Sequence, residues 1–199
     1  MSARVQGRAN GRSTREAFVA ATGRLLQRQG YAATGLSEIV AASGAPRGSL
    51  YFHFPGGKQE LAVAAMEHTG EALRGAIVSL MNRPGGAAAS IAQLIDVLGA
   101  GLEASGYRDG CPIATVTLEA AGEEPVRLTA ERVFSTWLSE LAAALRADGM
   151  EHAAASRRAL MVLAAHEGAL VLARARRDLA SLQAVRDELC ALFETPPAG

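Results

Sequence analysis

The sequence predicts an all-α protein of 199 residues, and three observations carry that expectation. Apolar residues recur every three or four positions through most of the chain, the spacing of helices that bury one face. No stretch shows the two-residue alternation of a half-buried β-strand. Glycine and proline fall between the periodic stretches, at Gly30, Pro84-Gly85-Gly86 and Asp148-Gly149, where they end one helix and free the next. With 49% apolar residues the chain can bury a substantial core, as one domain or as a small one and a larger one.

The elements follow in order. Residues 1–12 hold Gly, Arg and Asn without a period and are expected to form a flexible basic arm. Ser13-Thr14-Arg15-Glu16 fits a capping box, so a helix is expected to start there, carry Phe18, Ala21 and Leu25 on one face and end at Gly30. A short helix over residues 37–42 turns Ile39 and Val40 inward, and Gly44 supplies a left-handed end. Pro46 has the ring angle of a first helical position, so another short helix is expected from Pro46 or Arg47 to about His53. Leu50 and Phe54, spaced i, i+4, anchor its inner face. Arg47, Gly48, Ser49, Tyr51 and His53 are left for contact with something outside, and a DNA major groove has the right size. Residues 35–54 therefore read as a helix-turn-helix within a domain over 13–58.

The remaining residues, 59–199, predict helices throughout. Lys58 opens a connecting helix with Leu61, Ala65, Leu73, Ile77 and Leu80, broken at Pro84. A second helix from Ser90 carries Ile91, Leu94, Leu98 and Leu102 and stops near Gly106. Cys111-Pro112 begins a shorter one through Ala121, and Pro125 a longer one with Phe134, Trp137, Leu138, Leu141 and Leu145 on its inner face. The last two run over residues 153–176 and 178–193. Both are apolar around more than one face, and such a helix is fully buried or meets another molecule. A two-fold dimer through Leu160, Leu163, Leu179, Leu182, Val185 and Leu189 is expected.

Charge separates the two parts. The formal net charge is zero, yet residues 1–60 hold eight basic side chains against three acidic, a balance of +5, which leaves 12 against 17, or −5, in residues 61–199. A basic head on an acidic body suits a head that meets polyanion. Cys111 and Cys190 lie 79 positions apart without metal-like spacing, so neither a disulfide framework nor a metal site is expected, and a reducing cytoplasm is. The polar N-terminus predicts no secretory signal, and the longest apolar run, about 15 residues, falls short of the roughly 20 that span a bilayer.

The first domain resembles the TetR family of bacterial transcriptional regulators. The family's pattern appears as Gly30-Tyr31, Thr34, Ile39, Ser43-Gly44, Gly48-Ser49-Leu50-Tyr51-Phe52-His53-Phe54 and Lys58. Phe54-Pro55-Gly56-Gly57-Lys58 and Gly110-Cys111-Pro112-Ile113-Ala114 are similar to the LmrA/YxaF-like subgroup. Two departures stand out: Gly35 replaces the Thr or Ser that caps the second helix in many relatives, and the extra glycine shifts Lys58 by one position. The resemblance implies about nine helices, with a three-helix reader followed by a ligand-binding and dimerisation domain. It also implies a palindromic double-stranded DNA operator, a small apolar or aromatic effector of flavonoid-like or cationic drug-like type, and no cofactor. Thr34, Ser37, Arg47, Gly48, Ser49, Tyr51, His53 and Lys58 are its expected DNA contacts.

Phe134, Trp137, Leu138 and His166 are the expected pocket wall, because a five- or six-helix body readily encloses a cavity and a buried imidazole needs a partner. Cys111, Ser135, His152, His166 and Glu167 include nucleophile and base types without forming a catalytic signature, so no enzyme is expected. The other function weighed is a helical protein that binds nucleic acid without sequence preference and has no ligand response.

Overall fold

A computed structural model describes the backbone of residues 2–120 and 122–194 and the side chains of residues 13–120 and 122–193. Nine α-helices and no strand appear among the described residues, as the period predicts. They are α1 (Ser2–Ala33), α2 (Leu36–Ser43), α3 (Leu50–His53), α4 (Gly57–Met81), α5 (Gly86–Ala104), α6 (Pro112–Ala120), α7 (Glu124–Ala147), α8 (His152–Arg176) and α9 (Ala180–Glu194).

Two expectations at the N-terminus need correction. The backbone is helical from Ser2, so Ser13 lies inside α1 and does not cap its start. A capping box acts only where the first residue is extended, and the stretch before Ser13 contains no proline to interrupt the ladder. The side chains of residues 1–12 lie outside the described residues. The expected end of that helix is found at Gly30, whose φ of 82° and ψ of −176° break the helical path.

Contacts divide the chain into two compact units that are not simple segments. The first joins residues 1–70 to residues 112–133, so α6 and the start of α7 belong with the reader rather than with the body, where the boundary at residue 58 had put them. Its core gathers Phe18, Val19, Ile39, Leu50, Phe54 and Leu61. Phe18 meets Phe54 edge to face at 6.3 Å, and the Arg15 guanidinium lies 5.0 Å above the Phe54 ring. Each such apolar side chain removed from water contributes about 1.5–3 kcal/mol before entropy is charged against it. Close approach of α4 and α7 explains Gly70, where a Cβ would lie 2.7 Å from a Val133 methyl.

The second unit holds residues 71–111 and 134–199. Here α9 packs on both α5 and α8. α5 is the one helix among the described residues long and apolar enough to cross a membrane, and its Ile91, Leu94, Ile95 and Leu102 are buried within the unit. Glu151 starts α8 by accepting from the Ala153 and Ala154 amides at 2.8 and 3.0 Å. Asp148 accepts from the Ala87 amide at the start of α5. Leu182 and Leu189, expected on a dimer face, are 2% and 4% exposed and belong to this unit's own core. Leu182 reaches Gly99 of α5, because α9 must cover α5 with one of its apolar stripes.

Candidate nucleic-acid interface

The helix-turn-helix is built from short-range signals. Gly35 is the N-cap of α2, extended at φ −96° and ψ 150°, with no side-chain hydrogen bond; neither Thr34 nor Ser37 takes over the cap. The first amides of α2 therefore lack a side-chain acceptor, and helix N-termini of this kind accept anions. Gly44 closes α2 at φ 65°, and Ser43 ties the turn by donating to the Val40 carbonyl and accepting from the Ala45 amide.

The expected helix from Pro46 or Arg47 to His53 begins as one 3-10 turn, Arg47–Ser49, before α3 proper. Ser49 causes the tightening. Its amide and its hydroxyl both donate to the Pro46 carbonyl, at 3.0 and 2.7 Å, which favours an i→i−3 pattern. From there α3 splits by face: Leu50 and Phe54 are buried, whereas Arg47 and Gly48 are exposed and Tyr51 and Phe52 are 63% and 83% exposed. A Cβ at Gly48 would meet nothing within 4 Å, so space inside the fold does not demand glycine there.

The remaining expected contacts divide. Ser37 is exposed on α2, and His53 is half-buried with its ring 5.0 Å from Phe52. The Lys58 ammonium lies 4.4 Å above the Tyr31 ring and donates to the Ala32 carbonyl at 3.3 Å, which leaves two of its three donors for an outside partner. Thr34 corrects the expectation. It is fully buried and its hydroxyl donates to the Gly30 carbonyl at 2.6 Å, satisfying a group freed where α1 breaks. Its side chain is turned into the fold rather than onto the open face of the reader. Phe52, which the sequence places only within the family pattern, is the most exposed of these side chains.

A second feature, missed entirely, joins the reader to α6. Glu119 accepts from the Ala32 amide at 2.6 Å, and Glu123 accepts from the Tyr31 hydroxyl at 2.8 Å and from the Gln59 side chain at 3.1 Å. Burial, then the hydrogen bond to Glu123 and its charge, push the Tyr31 phenol up to about 12, so it remains a donor at neutral pH. Gly30 leaves room for this clasp: a Cβ there would collide with the Glu119 carboxylate. Separations of 87 and 92 residues leave no local trace of such pairs in a sequence.

In the second unit, Phe134 and Trp137 meet edge to face at 5.6 Å, with Trp137 buried and Phe134 and Leu138 half-buried. His166 is buried and its Nδ1 has no hydrogen-bond partner. Burial pushes its pKa down to about 4, so it is neutral at pH 7. Burial also raises the neighbouring Glu167, against the opposing effect of a hydrogen bond with Cys111.

A helix-turn-helix with one open face, set on a small helical core, is the architecture of DNA-binding transcriptional regulators. Two family descriptions match the chain: bacterial regulatory proteins of the tetR family over residues 18–65, and the LmrA/YxaF-like transcriptional regulator C-terminal domain over residues 87–188. An HTH-type transcriptional regulator of Mycobacterium tuberculosis is 36% identical over 181 residues, spanning 88% of this chain and 91% of that protein. The HTH-type transcriptional regulator LmrA of Bacillus subtilis is 34% identical over 160 residues, spanning 80% and 85%. The chain belongs to the TetR family of transcriptional regulators. The reduced form of Escherichia coli NemR superposes with a TM-score of 0.82 at 21% identity, over 93% of this chain and 99% of that one, and shares the fold.

Proposed function

We propose that the protein is a homodimeric repressor that reads a two-fold symmetric operator through α3 and leaves it when an aromatic ligand enters the second unit. The observation that carries the DNA half is the division of the Arg47–Phe54 stretch, with Leu50 and Phe54 locked in the core while Arg47, Gly48 and Tyr51 lie open to solvent. Arg47 is the base reader, since its planar fork matches the acceptor pair of guanine in the major groove. Tyr51, Ser37, Lys58 and the N-terminal amides of α2 hold phosphates and fix register. The role is regulatory rather than catalytic, and its site of action is the cytoplasm.

Dimerisation is supported by the apolar residues α8 leaves open: Leu160, Met161, Val171 and Leu172 are 57%, 51%, 62% and 49% exposed. Beside them lies a groove of about 570 Å³ walled by Met161, Ala165, Val185 and Leu192. Leu163, Leu179 and Val185 are half-buried and border the same helices. The ligand half is supported by His166, whose unmet Nδ1 asks for a hydrogen-bonding group, and by the aromatic pair Phe134 and Trp137.

Selection of duplexes from a random pool by the full-length protein tests the function. Enrichment of one symmetric sequence, bound by two chains, supports it. Enrichment of nothing, with equal affinity for all duplexes, leaves a nucleic-acid-binding helical protein without sequence preference. Leu160→Glu is expected to yield monomers in light scattering and weak operator binding, because one half-site supplies few contacts.

A further inference from the structure

Beside the C-terminal ends of α5 and α8 lies an open pocket of about 450 Å³ lined by Gly106, Tyr107, Arg108, Arg174 and Arg177. Three of its five lining residues are arginines, and none has a carboxylate within ion-pair distance among the described residues. Two other arginines of this unit are paired. Arg74 engages both Glu71 and Glu140, and Arg186 engages both Asp96 and Asp187. Asp178 accepts from the Ala180 amide and Glu103 from the Tyr107 hydroxyl at 3.4 Å, and both carboxylates act on Tyr107 through their charge, yet neither forms an ion pair with the three arginines. The surrounding residues 61–199 carry a net charge of −5, so unpaired positive charge lies where the body is otherwise acidic.

The pocket is also held in shape. Ser105 accepts from the Arg108 and Asp109 amides at 3.1 and 3.0 Å, and the Arg108 Nε donates to the Ser105 carbonyl at 3.1 Å. Arg174 donates to the Arg108 carbonyl at 3.0 Å. Its guanidinium lies over Gly110, where a Cβ would stand 2.6 Å from Nη1, so the glycine makes room for it. Among the described residues Tyr107 and Arg177, with φ of 62° and 58°, are the two non-glycine residues in the left-handed region, and both line this pocket. Both follow helix C-termini, where a left-handed residue closes the helix, so the two helix ends fix the path of the backbone around the pocket.

We propose that this pocket binds a small oxyanion, a carboxylate- or phosphate-bearing molecule gripped by Arg108, Arg174 and Arg177. Guanidinium forks suit both groups, through paired charge-assisted hydrogen bonds. A volume of about 450 Å³ lies within the roughly 300–1,000 Å³ usual for small-ligand sites. The site is distinct from the aromatic region around Trp137, and Arg108 stands four residues before the first residue of α6. An occupant would thus hold the loop that leads into the helix clasping the reader.

Calorimetric titration of the full-length protein, without DNA and at constant ionic strength, tests the site with inorganic phosphate and with citrate as probes. Saturable binding of at least one of them is expected, with about one anion per chain; which probe binds more tightly separates the phosphate source from the carboxylate source. Arg174→Gln and Arg177→Gln should each weaken it at least about tenfold, the loss of a charge-assisted pair, whereas Arg176→Gln, next to the pocket, should leave it unchanged. Among the described residues Arg177 is exposed and donates no side-chain hydrogen bond, so its variant should keep the thermal melt of the parent and separate ligand loss from misfolding. No saturable heat with either probe overturns the proposal, as does equal binding by parent and Arg177→Gln. Loss of duplex affinity in that variant, with neither anion bound by the parent, would assign the arginines to DNA phosphate and also overturn it.

Discussion

Removing one side of the clasp between α6 and the end of α1 should cost a definable free energy and weaken DNA binding with it. The Tyr31 hydroxyl and the Gln59 side chain share one Glu123 oxygen, at 2.8 and 3.1 Å. A hydrogen bond to a charged group contributes about 1.5–3 kcal/mol when buried, and Tyr31 and Glu123 are only half-buried, so solvent screening brings the Tyr31 bond to about 1 kcal/mol. Tyr31→Phe should therefore destabilise by about 1 kcal/mol, or about 2–4 °C in a chain of this length. Glu123→Ala loses both donors' acceptor and should cost about twice as much. The double variant should cost less than the sum, with a coupling of about 1 kcal/mol. Urea denaturation of the four proteins measures the cycle, and fluorescence anisotropy on a selected duplex measures the reader, whose α2 departs three residues after Ala33 breaks off. Additive costs, or full duplex affinity in the double variant, would refute the clasp as a support of the reader.

Three further outcomes are expected. Arg47→Ala should lose about 1–3 kcal/mol on the selected duplex and relax base preference at one position; equal losses on selected and random duplexes would show a phosphate contact instead. Below pH 6.5 the unfolded chain gains a proton that folded His166 refuses until about pH 4, so stability should fall by roughly 3 kcal/mol across that window, and His166→Leu should flatten the fall in urea midpoints. An unchanged slope in His166→Leu would remove the imidazole as its cause. Thr34→Val should destabilise by about 1–2 kcal/mol through the lost bond to the Gly30 carbonyl, while the salt dependence of duplex binding stays at the parent's value.

What was legible in the sequence was what short-range chemistry writes there. Gly44, Pro46 and the Leu50–Phe54 spacing place the reader because a left-handed end, a fixed ring angle and one helical turn are each decided within a few residues. The α7 stripe with Trp137, Leu141 and Leu145 was legible for the same reason. Where a helix has two apolar faces, periodicity names both and ranks neither. Leu182 and Leu189 went inward because α5 covers one side of α9, while Leu160 on α8 stayed open, and both are facts of packing. Thr34 looked like a contact residue by its neighbourhood, yet its oxygen is spent on a carbonyl that only the break at Gly30 exposes. Glu119 and Glu123 resemble any solvated pair on a helix end until α1 is laid against them.

The discontinuity of the first unit sets a schedule for its making. Residues 1–70 leave synthesis first, but the unit they belong to also contains residues 112–133. At about 5–20 residues per second, the 63 residues from 71 to 133 take roughly 3–13 seconds to appear. During that interval the end of α1 has neither Glu119 nor Glu123 to hold it, and the surface that α6 will cover on α1 is open. The nascent reader is thus unfinished while its body is being built, and it acquires its last partner only with the start of α7.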